Sequence, residues 1–139
     1  MQRLQDIAVT VASSDDSPIN HANAIPILHE VFHALNRYAQ EGVSTTIDLR
    51  AIPFGPGDEQ ALLDFLGRGE VEVTLRSLGD SAIWECAYPG VWIVDHRNSE
   101  NERVALQLEI GRIPEIVQSQ SEDILDALDR LQSRLEVLD

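Results

Sequence analysis

The sequence predicts an α+β fold in which a mainly antiparallel sheet, a meander of about four to six strands, packs with three helices. Residues 43–110 supply most of the strands, because apolar and polar side chains alternate there in several short runs. Gly-Asp and Pro-Gly pairs separate these runs and are typical of tight turns between neighbouring strands. Apolar residues at three- and four-residue steps on both sides of this region, and once within it, predict the helices.

The size and composition are those of one domain. The 139 residues are 43% hydrophobic and 24% charged, which is ordinary for a globular protein with a single core. Residues 1–20 are predicted to form an N-terminal strand or arm and a linker, since Ile7, Val9 and Val11 alternate with smaller residues and a Ser-Asp-Pro stretch follows at 13–18. A single α+β domain is predicted over residues 21–139.

The first helix is predicted over residues 23–41 and ends at Gly42. Its apolar stripe is predicted to consist of Leu28, Val31, Phe32, Leu35, Tyr38 and Ala39. A half-buried strand is expected over residues 43–51, followed by a Gly- and Pro-rich loop. Asp58 is predicted to be the N-cap of a short helix that ends at Gly67.

Four strands are predicted to follow one another along the chain. They cover residues 70–76, 82–88, 91–95 and 104–110, and each has apolar side chains at every second position. Gly79-Asp80 is expected to form one turn between them. Pro89-Gly90 has the residues that the two central positions of a type II turn require. Sequential strands joined in this way most simply form an antiparallel meander.

The C-terminal helix carries the longest apolar stripe. Ser119 and Glu122 have the spacing of a capping box, which predicts the helix start. The stripe has heptad-like spacing and consists of Ile124, Leu128, Leu131, Leu135 and Leu138. We expect this stripe to pack on the sheet, because short apolar stripes are usually core faces. A homodimer joined through this helix is the alternative.

Charge and residue usage exclude several classes of function. The formal net charge is -14, so the field of the protein repels phosphate backbones and anionic lipid, and neither nucleic acid nor a membrane is expected as a partner. All ten basic residues are arginine, which leaves no lysine for Schiff-base chemistry or a phosphate-binding loop of the GxxxxGK type. The single cysteine, together with the absence of a long apolar run, predicts a cytoplasmic protein.

One short motif points to metal chemistry. His29, Glu30 and His33 match HExxH, in which two imidazoles one helical turn apart bind zinc and the glutamate acts as a base. At 100° per residue both histidines fall on the flank of the helix, away from the apolar stripe, and we expect them to face solvent. A zinc-dependent hydrolase remains the alternative function, although no third ligand stands at a recognised spacing.

The two tryptophans are candidates for surface recognition. Trp84 and Trp92 are predicted to lie on adjacent strands of the Pro-Gly hairpin and close in space, where they are either core residues or interface anchors. Cys86 is expected to be buried and inert. His96 is predicted to lie in a polar turn, and the Gly55-Pro56-Gly57 stretch is interpreted as a helix entry and not as a phosphate site.

The chain resembles the C-terminal region of the HupH/HyaF family of nickel–iron hydrogenase expression and maturation proteins. Four segments carry the resemblance: LHEVFHAL at 28–35, TIDLRAIPFGPGDEQALLDFLGRGEV at 46–71, PGVWIVDHR at 89–97 and LEIGRIPEIV at 108–117. The resemblance implies a non-catalytic accessory protein without a cofactor. It would assist assembly of an uptake hydrogenase by binding the iron–sulfur small subunit or another maturation factor.

Two parts of the sequence are predicted to form the partner-binding surface: the hairpin with the residues around it, and the loop before the short helix. The predicted contact residues are Pro53, Phe54, Asp58, Trp84, Pro89, Gly90, Trp92, His96 and Arg97.

Overall fold

The structure is a computed structural model that describes residues 23–77 and 79–139. The arm and linker predicted over residues 1–20 lie outside the described residues. The described residues form three α-helices: α1 (Ala24–Glu41), α2 (Asp58–Leu66) and α3 (Ser121–Leu138). In the same part of the chain, five strands form one sheet: β1 (Thr45–Asp48), β2 (Glu72–Arg76), β3 (Asp80–Glu85), β4 (Val91–Arg97) and β5 (Arg103–Ile110). The predicted α+β class is confirmed.

The sheet is antiparallel throughout, with the strand order β1-β5-β4-β3-β2. Strands β2 to β5 are neighbours in the order in which they follow along the chain, so the predicted meander is confirmed. The first strand, β1, returns to pair with β5, and Thr45 lies opposite Ile110. No helix within residues 23–77 and 79–139 is long and apolar enough to cross a membrane.

The main core lies between one face of the sheet and the two helices α1 and α2. Alternation along β4 and β5 directs Ile93 and Leu108 to this face, where both are buried. The helices contribute a second layer of buried apolar side chains, which are Ala24, Ile27, Val31 and Ala34 from α1 and Leu62 and Leu66 from α2. Packing against this face therefore fixes the position of α2 on the sheet.

The opposite face of the sheet holds a smaller apolar cluster. Ile83, Trp92 and Val94 are buried there, and Val73 and Val117 pack against them. Because β4 is buried on both faces, its apolar residues run continuously from Val91 to Val94 and do not alternate with polar ones.

The Pro-Gly turn has the predicted geometry. The Val91 N–H donates to the Tyr88 carbonyl at 3.0 Å, which places Pro89 and Gly90 at the two central positions. Gly90 has φ 95°, the conformation that a type II turn requires at its third residue and that favours glycine. The turn joins β3 to β4 and fixes the end of the hairpin.

Two predicted elements differ from the structure in detail. The strand predicted over residues 43–51 is shorter, because the chain turns into a 3-10 helix at Leu49–Ala51. The Asp48 carboxylate starts this turn by accepting the Arg50 N–H at 3.0 Å. On α1, Phe32 and Ala39 are exposed, so the buried stripe differs from the predicted one. Its buried residues are Ala24, Ile27, Val31 and Ala34.

Two predictions about α3 are wrong. The helix begins at Ser121 with Gln120 at the N-cap position and without a side-chain capping hydrogen bond, so the Ser119–Glu122 capping box does not form. The helix also fails to pack on the sheet, since every one of its residues is exposed. The physical reason is that other described residues already bury the central apolar side chains on both faces of the sheet, so α3 is not needed to cover them.

Candidate functional site

A groove runs between α2 and the part of the sheet formed by β3 and β4. It has a volume of about 460 Å³ and differs from the rest of this acidic chain in holding three of its ten arginines. We call it the arginine groove and define it by Arg68, Trp84, Asp95, Arg97 and Arg103. Of the residues predicted from the sequence to bind a partner, Trp84 and Arg97 lie in it.

The position of the groove follows from how α2 is held. Leu62 and Leu66 are buried in the core, which turns Leu63 and Gly67 towards the groove. The C-terminal end of α2 is tied to the hairpin, because the Ala87 N–H donates to the Leu66 carbonyl at 2.8 Å. The wall of the groove is therefore built on rigid elements and not on a free loop.

Arg68 lies over an indole ring at one end of the groove. Its guanidinium carbon is 3.8 Å from the centroid of the Trp84 ring, a cation–π contact that contributes about 0.5–2 kcal/mol. The guanidinium also donates to Glu72 at 3.3 Å. Trp84 is 7% exposed, so its ring is a platform that orients Arg68 and is not itself a protruding anchor.

A buried carboxylate organises the other end of the groove. Asp95 accepts two hydrogen bonds from Arg103, at 3.1 and 3.3 Å, and one from Arg97 at 2.9 Å. Arg103 also donates to Glu59 at the start of α2, at 3.1 Å. Burial alone would raise the pKa of Asp95, but the hydrogen bonds from Arg103 and then Arg97 outweigh burial and lower this pKa. The network links β4, β5 and α2 through charged groups.

An exposed aromatic pair lies beside the Pro-Gly turn. The rings of Phe65 and Tyr88 stack with centroids 6.3 Å apart and an interplanar angle of 12°, and they are 54% and 45% exposed. Helix geometry places Phe65 on the opposite side of α2 from the groove. We call Phe65, Tyr88, Pro89 and Gly90 the aromatic patch. The patch and the groove therefore flank the C-terminal end of α2, with Phe65 in its last turn and Arg68 just after its C-cap, Gly67.

The two tryptophans do not come together as predicted. In the β3–β4 register Trp84 lies opposite Ile93, whereas Trp92 lies opposite Glu85, so the two indoles are on opposite faces of the sheet. A one-residue offset in register reverses the face to which a side chain points. Trp92 is 4% exposed, and its indole N–H donates to the Gly111 carbonyl at 3.2 Å.

His96 also lies on the face of the sheet away from the groove. It belongs to β4, and not to a turn as predicted, and it is half-buried beside a second cavity that Glu109 and Glu115 also line. Burial raises the pKa of Glu109, and the hydroxyl of Thr46 lies at 3.5 Å from its carboxyl. His96 and Trp92 are thus separated from the groove by the sheet.

The loop before α2 is a structural connection. Gly57 is the N-cap and Asp58 is the first helical residue, which corrects the prediction that Asp58 is the cap. Asp58 is buried, and its Oδ2 accepts the Gly55 N–H at 2.9 Å and the Asn23 amide at 3.0 Å. Its Oδ1 is buried without a hydrogen-bond partner among the residues that the structure describes.

The other two loop residues are placed differently from each other. Phe54 packs against the core, whereas Pro53 is exposed. Neither lines the arginine groove.

The HExxH motif is on the surface. His29, Glu30 and His33 are all exposed on α1, and the Phe32 ring contacts the His33 ring edge-on at 5.4 Å. Among residues 23–77 and 79–139, no group of three or more His, Cys, Asp or Glu side chains could hold a metal ion. The motif therefore has no third protein ligand within the described chain.

Cys86 is a buried thiol at the end of the hairpin. Burial, with a smaller effect of the neighbouring Glu85 charge, raises the pKa of Cys86 to about 12. We expect Cys86 to remain unmodified by a thiol reagent at pH 8 in the folded protein and to react fully in denaturant, since the thiolate is the reactive form. Rapid, stoichiometric labelling of the folded protein would show that the thiol is accessible.

The sequence interpretation missed several residues of these surfaces. None of Phe65, Arg68, Asp95 and Arg103 is among the contact residues predicted from the sequence. A signal for Asp95 does exist: it is a carboxylate that follows four consecutive apolar residues in a strand. Such a residue requires buried positive partners, and arginines stand at 97 and 103.

The fold and these surfaces define the class of protein: an α+β domain that carries a charged groove and an exposed aromatic patch. The family model "HupH hydrogenase expression protein, C-terminal conserved region" matches residues 21–138. The chain belongs to this family.

Individual relatives agree with the family assignment. The chain is 34% identical over 119 residues to the hydrogenase expression/formation protein HoxQ of Azotobacter vinelandii, covering 84% of this chain and 42% of that protein. It is 29% identical to HupH of Rhizobium leguminosarum bv. viciae, covering 86% and 42%. The chain thus spans about two fifths of the length of the curated relatives that it matches.

A solved structure is similar in fold. The hydrogenase expression protein HupH from Thiobacillus denitrificans ATCC 25259 superposes with a TM-score of 0.77 at 39% identity, covering 83% of this chain and 96% of that one. The likeness includes the five-stranded antiparallel sheet with helices described above.

Proposed function

We propose that this protein is a non-catalytic accessory protein in the assembly of a nickel–iron uptake hydrogenase. Its proposed partner is the iron–sulfur small subunit, or another maturation factor, before the hydrogenase is complete. The names of the relatives support a role in hydrogenase expression and formation. The observation that carries a binding role is the pairing of an aromatic patch with an arginine groove on the two sides of α2.

The aromatic patch supplies the apolar part of the proposed interface. Phe65 and Tyr88 hold each other in a fixed orientation by stacking, so little side-chain freedom is lost when a partner covers them. Tyrosine is also enriched among residues whose removal weakens protein complexes most. Since Phe65 and Tyr88 are exposed, replacing them should weaken partner binding more than it lowers the stability of the fold.

The arginine groove supplies the polar part. Three guanidinium groups stand there with the carboxylates Asp64 and Asp95, which line the groove. Two further carboxylates, Glu59 and Glu72, pair with Arg103 and Arg68. Arginine is well suited to an interface because its planar group stacks on aromatic rings and donates several hydrogen bonds. Each guanidinium has five N–H donors, more than these pairs use, so the groove suits carbonyl groups of a partner polypeptide.

Copurification from the native host tests this function. The tagged chain should retain a hydrogenase small subunit or another hydrogenase maturation protein, and the Phe65→Ser/Tyr88→Ser variant should retain at least tenfold less. The matched control is Val137→Ser, which removes an apolar side chain that is 82% exposed on α3. Repeated absence of every hydrogenase component from the wild-type sample would overturn the proposal, as would equal retention by the wild type and the double variant.

A further inference from the structure

Helix α3 presents an apolar stripe along its whole length that no other element covers within the part of the chain that the structure describes. The stripe residues recur at alternating steps of four and three, and each is more than half exposed: Ile124, Leu128, Leu131, Leu135 and Leu138. Leu125 on the flank of the stripe is exposed as well. A contiguous apolar surface of this kind marks an interaction site, because monomeric proteins rarely leave one uncovered.

The spacing of the stripe suits another helix. Steps of four and three are those of the a and d positions of a heptad repeat, which face a partner helix in a coiled coil. The positions on the opposite side of α3 are mostly polar or charged, and Asp126 and Arg130 there form an ion pair at 3.0 Å. The stripe therefore fits the apolar stripe of one further helix better than a flat surface.

The distribution of charge along α3 favours antiparallel pairing with α3 of a second copy of this chain. The first half of the helix carries four acidic residues, Glu122, Asp123, Asp126 and Asp129. The second half carries both arginines, Arg130 and Arg134, and one acidic residue, Glu136. Parallel pairing would place the acidic halves side by side. Antiparallel pairing places each acidic half against the arginine-bearing half of the other copy, which lowers the repulsion between like charges.

The same orientation aligns the apolar residues. With Leu128 opposite Leu131 of the partner subunit, Ile124 lies opposite Leu135 of the partner subunit, and the symmetry of the pair repeats both contacts. Four apolar layers result. We propose that α3 is a dimerisation helix that pairs antiparallel with α3 of a second copy of this chain.

The expected dimer is weak because the interface is small. The 18 residues of α3 span about 27 Å at 1.5 Å per residue. One helix pair of this length lies at the low end of protein interfaces, where dissociation constants on the order of micromolar are typical. Dimer formation should therefore depend visibly on protein concentration.

Sedimentation velocity of the full chain tests the proposal. Between about 1 and 200 µM the wild type should shift from monomer to dimer, and Leu131→Glu should weaken association at least 100-fold by placing a charge in the central layers. Val137→Glu is the matched control, since it adds the same charge to the side of α3 away from the stripe. The Leu131 side chain is exposed in the monomer, so circular dichroism should report unchanged folding for both variants.

Cross-linking tests the orientation. A mixture of Ser121→Cys and Leu138→Cys proteins should give the mixed disulfide in an antiparallel pair, whereas a parallel pair would give disulfides between identical variants. Cys86 contributes little background because it is buried. A wild type that stays monomeric up to 200 µM, or equal association of wild type and Leu131→Glu, would overturn the dimer. Disulfides only between identical variants would overturn the antiparallel arrangement.

Discussion

We expect Asp95→Asn to lower the free energy of unfolding by about 3 kcal/mol, as measured by urea denaturation at pH 7. The substitution keeps the shape of the side chain but removes the negative charge that Arg97 and Arg103 share. Asp95 is buried, whereas both arginines reach solvent in part, which places the expected loss at the low end for a broken buried ion pair.

The loss of unfolding free energy in Asp95→Asn should become smaller as the pH falls. The pKa of Asp95 is lowered in the folded protein, so the folded state favours the ionised carboxylate more than the unfolded chain does. The stabilisation is therefore present above the unfolded pKa of an aspartate and is lost as the pH falls through the lowered folded pKa. The difference between wild type and Asp95→Asn should shrink accordingly in acid.

An exposed ion pair serves as the control. Arg68 and Glu72 pair at 3.3 Å, but their side chains are 56% and 66% exposed. We expect Glu72→Gln to change stability by less than about 1 kcal/mol. Equal effects of Asp95→Asn and Glu72→Gln would contradict the organising role given to Asp95.

The second large effect is expected at Leu62. This side chain is 0% exposed and holds α2 against the core, so Leu62→Ala should leave a cavity and lower the free energy of unfolding by about 3 kcal/mol. Phe65→Ala, three residues further along the same helix, should cost less than about 1 kcal/mol because its ring lies at the surface. Urea denaturation of both variants measures the contrast.

Partner binding should show the reverse order at Phe65. Under conditions in which both variants are folded, Phe65→Ala should retain less of the partner than Leu62→Ala, since only Phe65 lies on the proposed interface. A Phe65→Ala variant as unstable as Leu62→Ala would show that Phe65 is a core residue.

Local rules accounted for much of the fold. The end of α1 at Gly42 and the type II turn at Pro89-Gly90 both depend on glycine in the left-handed region, which neighbouring residues alone can indicate. The four-stranded meander followed from alternation and short turns. These features involve contacts between residues that are close in sequence, so the sequence carries a direct signal for them.

Two other features were harder to predict from the sequence. They depend on the register of the strands and on which elements cover the faces of the sheet. The faces of Trp84 and Trp92 follow from the β3–β4 register, in which Trp84 lies opposite Ile93 and Trp92 lies opposite Glu85. The exposure of α3 depends on whether other residues already fill both faces of the sheet. An amphipathic stripe has the same sequence pattern whether it packs inside its own domain or against another chain.

The candidate surfaces were predicted in part. Trp84, Arg97, Pro89 and Gly90 lie on them, but Trp92 and His96 lie across the sheet. The arginine network was missed because Glu59, on α2, is 44 residues from Arg103 on β5. Pairing across such a distance appears only when the helix has been placed on the sheet.

Site-specific photo-cross-linking in the native host tests the central claim most directly. A photoreactive phenylalanine analogue in place of Tyr88 should capture a hydrogenase small subunit or another hydrogenase maturation protein, identified by mass spectrometry. The same analogue in place of Val104, which is 58% exposed at the start of β5 and outside the aromatic patch, should not capture this protein. Capture of no hydrogenase-related protein from position 88, or identical products from both positions, would contradict the account.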